Sequence, residues 1–281
     1  MDSETSDSAS HVRVERTALE LVAGKLLQRK GMFAVEAEIV VHRMIEADLM
    51  GRNRDGVGSL PDFLDAMDLG DIDPRARLIT VTDAPAIAVL DGSTGMGHVA
   101  ASRGMLMAVE KAKSGGIGNV IIRNSRPGGD LATIAALATS QGLIGLVHVS
   151  MELDSEGNPL ENMAWSLPAA TGLKPHLSRS NRNALGGEMS LLFGTLCSGL
   201  AGVDSHSRKR KPVWVANVVE YSVTAISPEK FGQADSLLEK WQTQEMVPVA
   251  AAEEKPTVPL LLPVAERLAG LATKIKLALT W

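Results

Sequence analysis

Aromatic residues are scarce in this chain: four Trp, four Phe and one Tyr make up 3% of 281 residues. Single-stranded nucleic acid is held by stacking bases on aromatic faces, so the scarcity argues against such a partner. A formal net charge of −5 argues against nucleic acid more broadly. With 45% hydrophobic residues, the core has to come from Ala, Val, Leu, Ile and Met. Cysteine is scarcer still. Cys197 stands alone inside "LLFGTLCSGLAG", which rules out a disulfide within the chain. No basic residue lies nearby in sequence to activate it, so it reads as a buried inert thiol. Such usage fits a reducing compartment, and the expected location is the cytoplasm.

No apolar run is long enough to span a membrane, so no membrane partner is expected. The opening "MDSETSDSASHVRVERT" lacks the basic-then-apolar layout of a signal peptide, and residues 1–16 read as a frayed tail. The six histidines (His11, His42, His98, His148, His176, His206) form no HxxxH or HExxH pair, so no metal site is expected. His98 and His148 read as structural. A GxSxG nucleophile elbow is also missing.

What is present alternates. "TALELVAGKLLQ" (17–28) and residues 35–50 carry apolar residues at helical spacing and stop at Gly31 and Gly51. Residues 60–69 form a third helix, with Pro61 at its start. The short β-branched runs "ARLITVTD", "AIAVLDG", "IGNVIIRN" and "LIGLVHVSM" read as strands. Helices over "MGHVAASRGMLMAVEKAKSGG" and "DLATIAALATSQG" are interleaved with them, Asp130 being the N-cap of the second. This is an α/β pattern. Residues 152–183 read as an irregular connection with room for one strand, 189–200 and 228–245 as helices, and "VWVANVVEYSVTAI" as a strand. "EEKPTVPLLLP" reads as an extended linker, and 264–279 as a final amphipathic helix. No internal repeat is visible.

Three glycine-rich turns invite a chemical reading. "DGSTGMG" (91–97) fits neither GxGxxG nor a P-loop and reads as a strand-to-helix turn. "RNSRPGGD" (123–130) precedes a helix start, where free amides and two arginines suit an anion, but by its motif alone an ordinary glycine-proline turn is the preferred reading. "GRNRDGVGS" (51–59) is either a carboxylate-binding fork of Arg52 and Arg54 or a salt-bridged turn with Asp55. "SRKRKP" (207–212) reads as an exposed basic loop.

Several stretches, in order, resemble the malate/L-lactate dehydrogenase-like oxidoreductases of the non-Rossmann type. They are "VHRMIEADLMG", "DGVGSLPDFLDAMDLGDIDPRA", "AIAVLDGSTGMGHVAASRGMLMAVEKAKSGGIGNVIIRNS", "GLIGLVHVS", "GGEMSLLFGTLCSGLAG" and "AISPEKF". The resemblance implies an α/β fold with a central mixed-sheet domain, here 79–183 as a degenerate nucleotide-binding domain. A helical domain would be built from 17–78 and 184–281. It also implies a dimer, NAD or NADP as cofactor if the chain is active, and a histidine that exchanges a proton with a 2-hydroxy or 2-keto oxygen.

Carried over by position, the resemblance puts the family's Ser-His-Gly on Arg54, Asp55 and Gly56, so Asp55 stands where the catalytic histidine is expected. Ser59 takes the place of the carboxylate-binding arginine, with Arg52 and Arg54 as neighbouring substrate-binding candidates. The family's Asn-Ser-Asn-His-x-Gly falls on Asn124, Ser125, Arg126, Pro127, Gly128 and Gly129. Of these, Asn124, Ser125, Arg126 and Gly129 are the cofactor-binding candidates, and Pro127 replaces a histidine. The lysine of Lys-Gly-Tyr-Gly falls near Leu185. Proline has no titratable side chain, an ordinary Asp is already ionised at neutral pH, and Ser offers no cationic fork. The expectation is therefore a family-like fold without the family's redox chemistry, a binding, scaffold or regulatory subunit pairing with itself or with a paralogue. The alternative is an active NAD(P)-dependent oxidoreductase with rearranged acid–base groups.

Overall fold

The computed structural model describes residues 11–153, 159–167, 176–180, 218–231, 247–248 and 256–281. The N-terminal helices are α1 (Arg16–Arg29), α2 (Ala34–Leu49) and α3 (Leu60–Asp68), each within a residue or so of its expected bounds. Strand β1 (His11–Glu15) precedes them and pairs antiparallel with β10 (Thr257–Leu261), which leads into α6 (Leu262–Lys274). These elements share one core: Leu19, Leu27, Val40, Met44, Ile45, Leu60, Phe63, Val258, Leu260 and Leu268 are buried together.

The second layer is an eight-stranded mixed sheet. Its strands are β2 (Ile79–Asp83), β3 (Ile87–Asp91), β4 (Ile117–Ser125), β5 (Ile144–Leu153), β6 (Pro159–Leu167), β7 (His176–Ser180), β8 (Val219–Ile226) and β9 (Val247–Pro248), in the order β2-β3-β4-β8-β5-β6-β7-β9. Strands β3 and β4 are parallel, joined by helix α4 (Gly97–Gly115); the other pairings are antiparallel. Helices α4 and α5 (Leu131–Thr139) share a core with the sheet built from Ala100, Ala101, Ala108, Ala135, Val120, Ile122, Val147 and Val223. Helix α2 also touches α4 and α5, so it joins the two layers.

Several expectations change. The tail expected over 1–16 includes a strand from His11, and the linker expected over 253–263 contains its partner; Val14 pairs with Val258 across 244 positions of chain, a distance at which local periodicity carries no signal. Residues 219–226, assigned with 184–281 to the helical domain, form a middle strand of the sheet. Seven of its eight residues are buried, as a strand covered on both faces must be. The connection over 152–183 holds two strands, β6 and β7. A short 3-10 turn covers 228–231. The helix expected over 189–200, Leu185, Cys197, the 207–212 loop and residues 232–245 lie outside the described residues.

With few rings available, the sheet layer packs by close approach of small residues. A Cβ on Gly118 of β4 would lie 2.0 Å from the Ala108 carbonyl of α4, and one on Gly145 of β5 would lie 2.2 Å from the Ala135 carbonyl of α5. Both obstacles are backbone and cannot rotate away. Gly118→Ala and Gly145→Ala are each expected to destabilise the fold by about 1–3 kcal/mol. Gly24→Ala, inside α1 with open space around it, is expected to stabilise by about 0.5–1 kcal/mol. Thermal or urea unfolding of the three variants checks both signs.

Candidate active site

Helix α2 ends at Leu49, and Gly51 turns the chain with φ +75°. Two consecutive 3-10 turns follow, Asn53–Asp55 and Val57–Ser59. The turn is held from inside by Asp48, whose Oδ2 accepts the Val57 N–H at 2.8 Å. A Cβ on Gly56 would lie 2.0 Å from Asp48 Oδ1, so only glycine lets the carboxyl lie under the turn. Burial pushes the Asp48 pKa from 3.8 up to about 7, and the Val57 hydrogen bond opposes that rise only in part. Asp48 lies on the buried stripe of α2 with Val41, Met44 and Ile45. A carboxylate within an apolar helical stripe is a sequence signal that the motif reading passed over.

The candidate turn residues separate. Asp55 is half-buried, and its N–H donates to the Arg52 carbonyl. Ser59 is buried and its hydroxyl donates to the Gly56 carbonyl at 2.7 Å. Arg52 Nη1 donates to Asp130 Oδ1 at 2.8 Å and Oδ2 at 2.6 Å. The Asp130 side chain is fully buried and that of Arg52 is 18% exposed. Arg52 and Ser59, both expected at a substrate, each have a hydrogen-bond partner within the chain. Arg54 is exposed.

The 123–130 loop lies directly against this turn. Asn124 adopts a left-handed φ of +53° and donates from Nδ2 to Asp91 Oδ1 at 3.1 Å; its carbonyl accepts the Thr94 N–H. Ser125 is buried against the Asp91–Gly97 turn, and the Arg126 N–H donates to the Gly95 carbonyl. Tyr221 of β8, the one tyrosine, is wholly buried; its hydroxyl donates to the Arg126 carbonyl at 3.0 Å and accepts the Gly128 N–H. Burial pushes its pKa further up, so it stays protonated. Asp130 caps α5 by accepting the Ala132 N–H, as expected.

His98, in the first turn of α4, is fully buried with its ring edge-on to Phe63 at 5.2 Å. Gly129, at φ +70°, passes directly over it: a Cβ there would lie 2.6 Å from Nε2. Among the described residues, neither ring nitrogen has a hydrogen-bond partner. Desolvation first, then the charge of Arg43, lowers its pKa to about 3, so the imidazole is neutral at physiological pH.

These residues do not fit a dinucleotide phosphate. The amide face at the start of α4 is covered by the loop: a Cβ on Gly97 would lie 2.1 Å from the Arg126 carbonyl and 2.8 Å from the Gly128 nitrogen. The cleft on the other side of the 91–97 turn is lined by Glu36, Asp73, Met96 and Arg103. It holds about 20 Å³ of interior space, room for one or two waters, and Glu36 there pairs with Arg103 at 3.3 Å. Asn124, Ser125, Arg126 and Gly129 are brought together in one loop that packs against the Asp91–Gly97 turn and His98.

Asp48 generates a pH prediction. Its folded pKa, about 7, exceeds its unfolded value, so between about pH 4 and 7 the folded state binds more protons and stability falls as pH rises. Asp48→Asn retains an acceptor for Val57 without a charge. The stability advantage of the variant is expected to grow from near zero at pH 4 to about 1–3 kcal/mol at pH 7.5. Parallel denaturation curves over that range check it; a constant offset would mean that Asp48 does not titrate there.

Comparison with known proteins agrees with this architecture. Residues 14–156 match the malate/L-lactate dehydrogenase family. The L-sulfolactate dehydrogenase of Methanocaldococcus jannaschii is 34% identical over 127 residues, 45% of this chain and 37% of that protein. The malate dehydrogenase of Pyrococcus horikoshii is 32% identical over 137 residues, 49% of this chain and 38% of that protein. The matched segment thus spans little more than a third of these curated relatives. In fold the likeness extends further: the solved malate dehydrogenase of Pyrococcus horikoshii superposes with a TM-score of 0.75 at 21% identity, covering 98% of this chain and 99% of that one. The mixed α/β fold, with its central sheet and helical layer, is that of these dehydrogenases, and the chain belongs to the malate/L-lactate dehydrogenase family.

Proposed function

We propose that this chain is a binding or regulatory subunit built on the dehydrogenase fold, pairing with itself or with an active paralogue, and that it does not transfer hydride at the 52–59 turn. The observation that carries this reading is that two polar side chains of the turn are engaged within the chain. Arg52 is held by Asp130 and Ser59 by Gly56, while the imidazole of His98 is buried and neutral. Proton exchange with a 2-keto oxygen needs a group within hydrogen-bond reach that titrates near the working pH. Asp55 stands at the position that the resemblance gives to the family's histidine.

A second reading has its own support. Arg54 is exposed beside Asp55, and the curated relatives are named as dehydrogenases of malate, sulfolactate and related hydroxycarboxylates. Under that reading the chain is an NAD(P)-dependent oxidoreductase acting on a small 2-hydroxy or 2-keto acid, with Arg54 holding the carboxylate and Asp55 near the reacting oxygen.

Calorimetric titration with NADH and NADPH, followed by turnover on a panel of 2-keto acids, separates the two. The regulatory reading expects no turnover on any member of the panel, and cofactor binding weaker than millimolar or absent. Measurable turnover that is lost in Arg54→Met would overturn it in favour of the second reading.

A further inference from the structure

The sequence places an arginine suited to a carboxylate in the 51–59 turn, and the structure shows that arginine already holding one. Both oxygens of Asp130 accept from Arg52 Nη1, at 2.8 and 2.6 Å, and the Asp130 side chain is fully buried. Asp130 arrives from another part of the chain, 78 positions away, at the end of the Pro127-Gly128-Gly129 loop. The loop cannot drift: the Tyr221 hydroxyl bonds the Arg126 carbonyl, and Gly129 lies on His98. Capping α5 does not by itself require an acid, because Ser, Asn and Gly cap as well or nearly so. Beyond the Cα, an Asp side chain is a CH2–carboxylate, the shape of an acetate ion.

We propose that Asp130 is an internal carboxylate held on Nη1 of Arg52, an autoinhibitory contact that closes a site for a small monocarboxylate. A carboxylate tethered on the same chain has a high effective concentration, and the pair is shielded from water, where charge-assisted bonds are strong. A free acid of acetate or pyruvate size does not displace it at ordinary concentrations. Removing the Asp130 carboxyl opens the place to such an acid. The inference is independent of hydride transfer and is read without cofactor or turnover, so its failure and that of the functional reading are separate results.

The test uses the full chain and three variants: Asp130→Ser, Asp130→Gly and the double variant Arg52→Met/Asp130→Ser. Sodium acetate and sodium pyruvate are titrated against sodium chloride at constant ionic strength, following the thermal midpoint and the arginine Nε–Hε resonances. The two single variants are expected to show a saturable rise of the midpoint in the millimolar range with acetate or pyruvate, a shift of one arginine resonance, and no response to chloride. The unaltered chain and the double variant are expected to show no saturable response. Folding of either single variant only when acetate is present also supports the proposal. Saturation of the unaltered chain at the same concentrations, a response retained in the double variant, or folded single variants that ignore both acids would overturn it. Failure of both single variants to fold even in acetate would make Asp130 a structural strut and would overturn it as well.

Discussion

The buried ion pair between Arg52 and Asp130 sets how the two layers of this chain meet. A carboxylate removed wholly from water is costly unless a cation and good hydrogen bonds compensate it, and here the cation comes from the other layer. The pair therefore ties the turn after α2 to the loop before α5. Arg43 of α2 adds a parallel link by donating to the Thr133 carbonyl of α5 at 2.7 Å. The consequence is chemical as well as mechanical: the groups that hold the layers together are those the turn would otherwise offer to a ligand.

Packing around this seam follows from composition. Alanine faces on α4 and α5 and glycines on β4 and β5 let helix and sheet approach to backbone contact. The few large side chains lie where the small ones cannot fill, and Phe63 and Tyr221 lie on either side of the seam, one against His98 and the other under Arg126 and Gly128. Each of these rings is fully buried. The seam consequently has little free volume, which is why its imidazole is neutral and its loop amides are covered.

Most of the architecture was legible in the sequence. Helical spacing located α1 to α5, and the alternation of β-branched runs with helices gave the α/β class. What could not be read was pairing across long stretches of chain: Val14 with Val258, or residues 219–226 inserted between β4 and β5. Strand partners depend on tertiary contacts, and no local pattern marks them. The site divides in the same way. The positions that the resemblance gives to Asp55, Ser59 and Pro127 could be read residue by residue. That Arg52 faces Asp130, and that Asp48 supports the turn from below, depends on two segments being brought together in space.

The account stands on the Arg52–Asp130 pair acting as a coupled unit. A double-mutant cycle of Arg52→Met, Asp130→Asn and the two combined, followed by urea unfolding, measures that coupling directly. The account predicts a coupling energy of about 1.5–3 kcal/mol, as for a charge-assisted pair shielded from water. Additive effects within about 0.3 kcal/mol would contradict it, leaving the seam to packing alone.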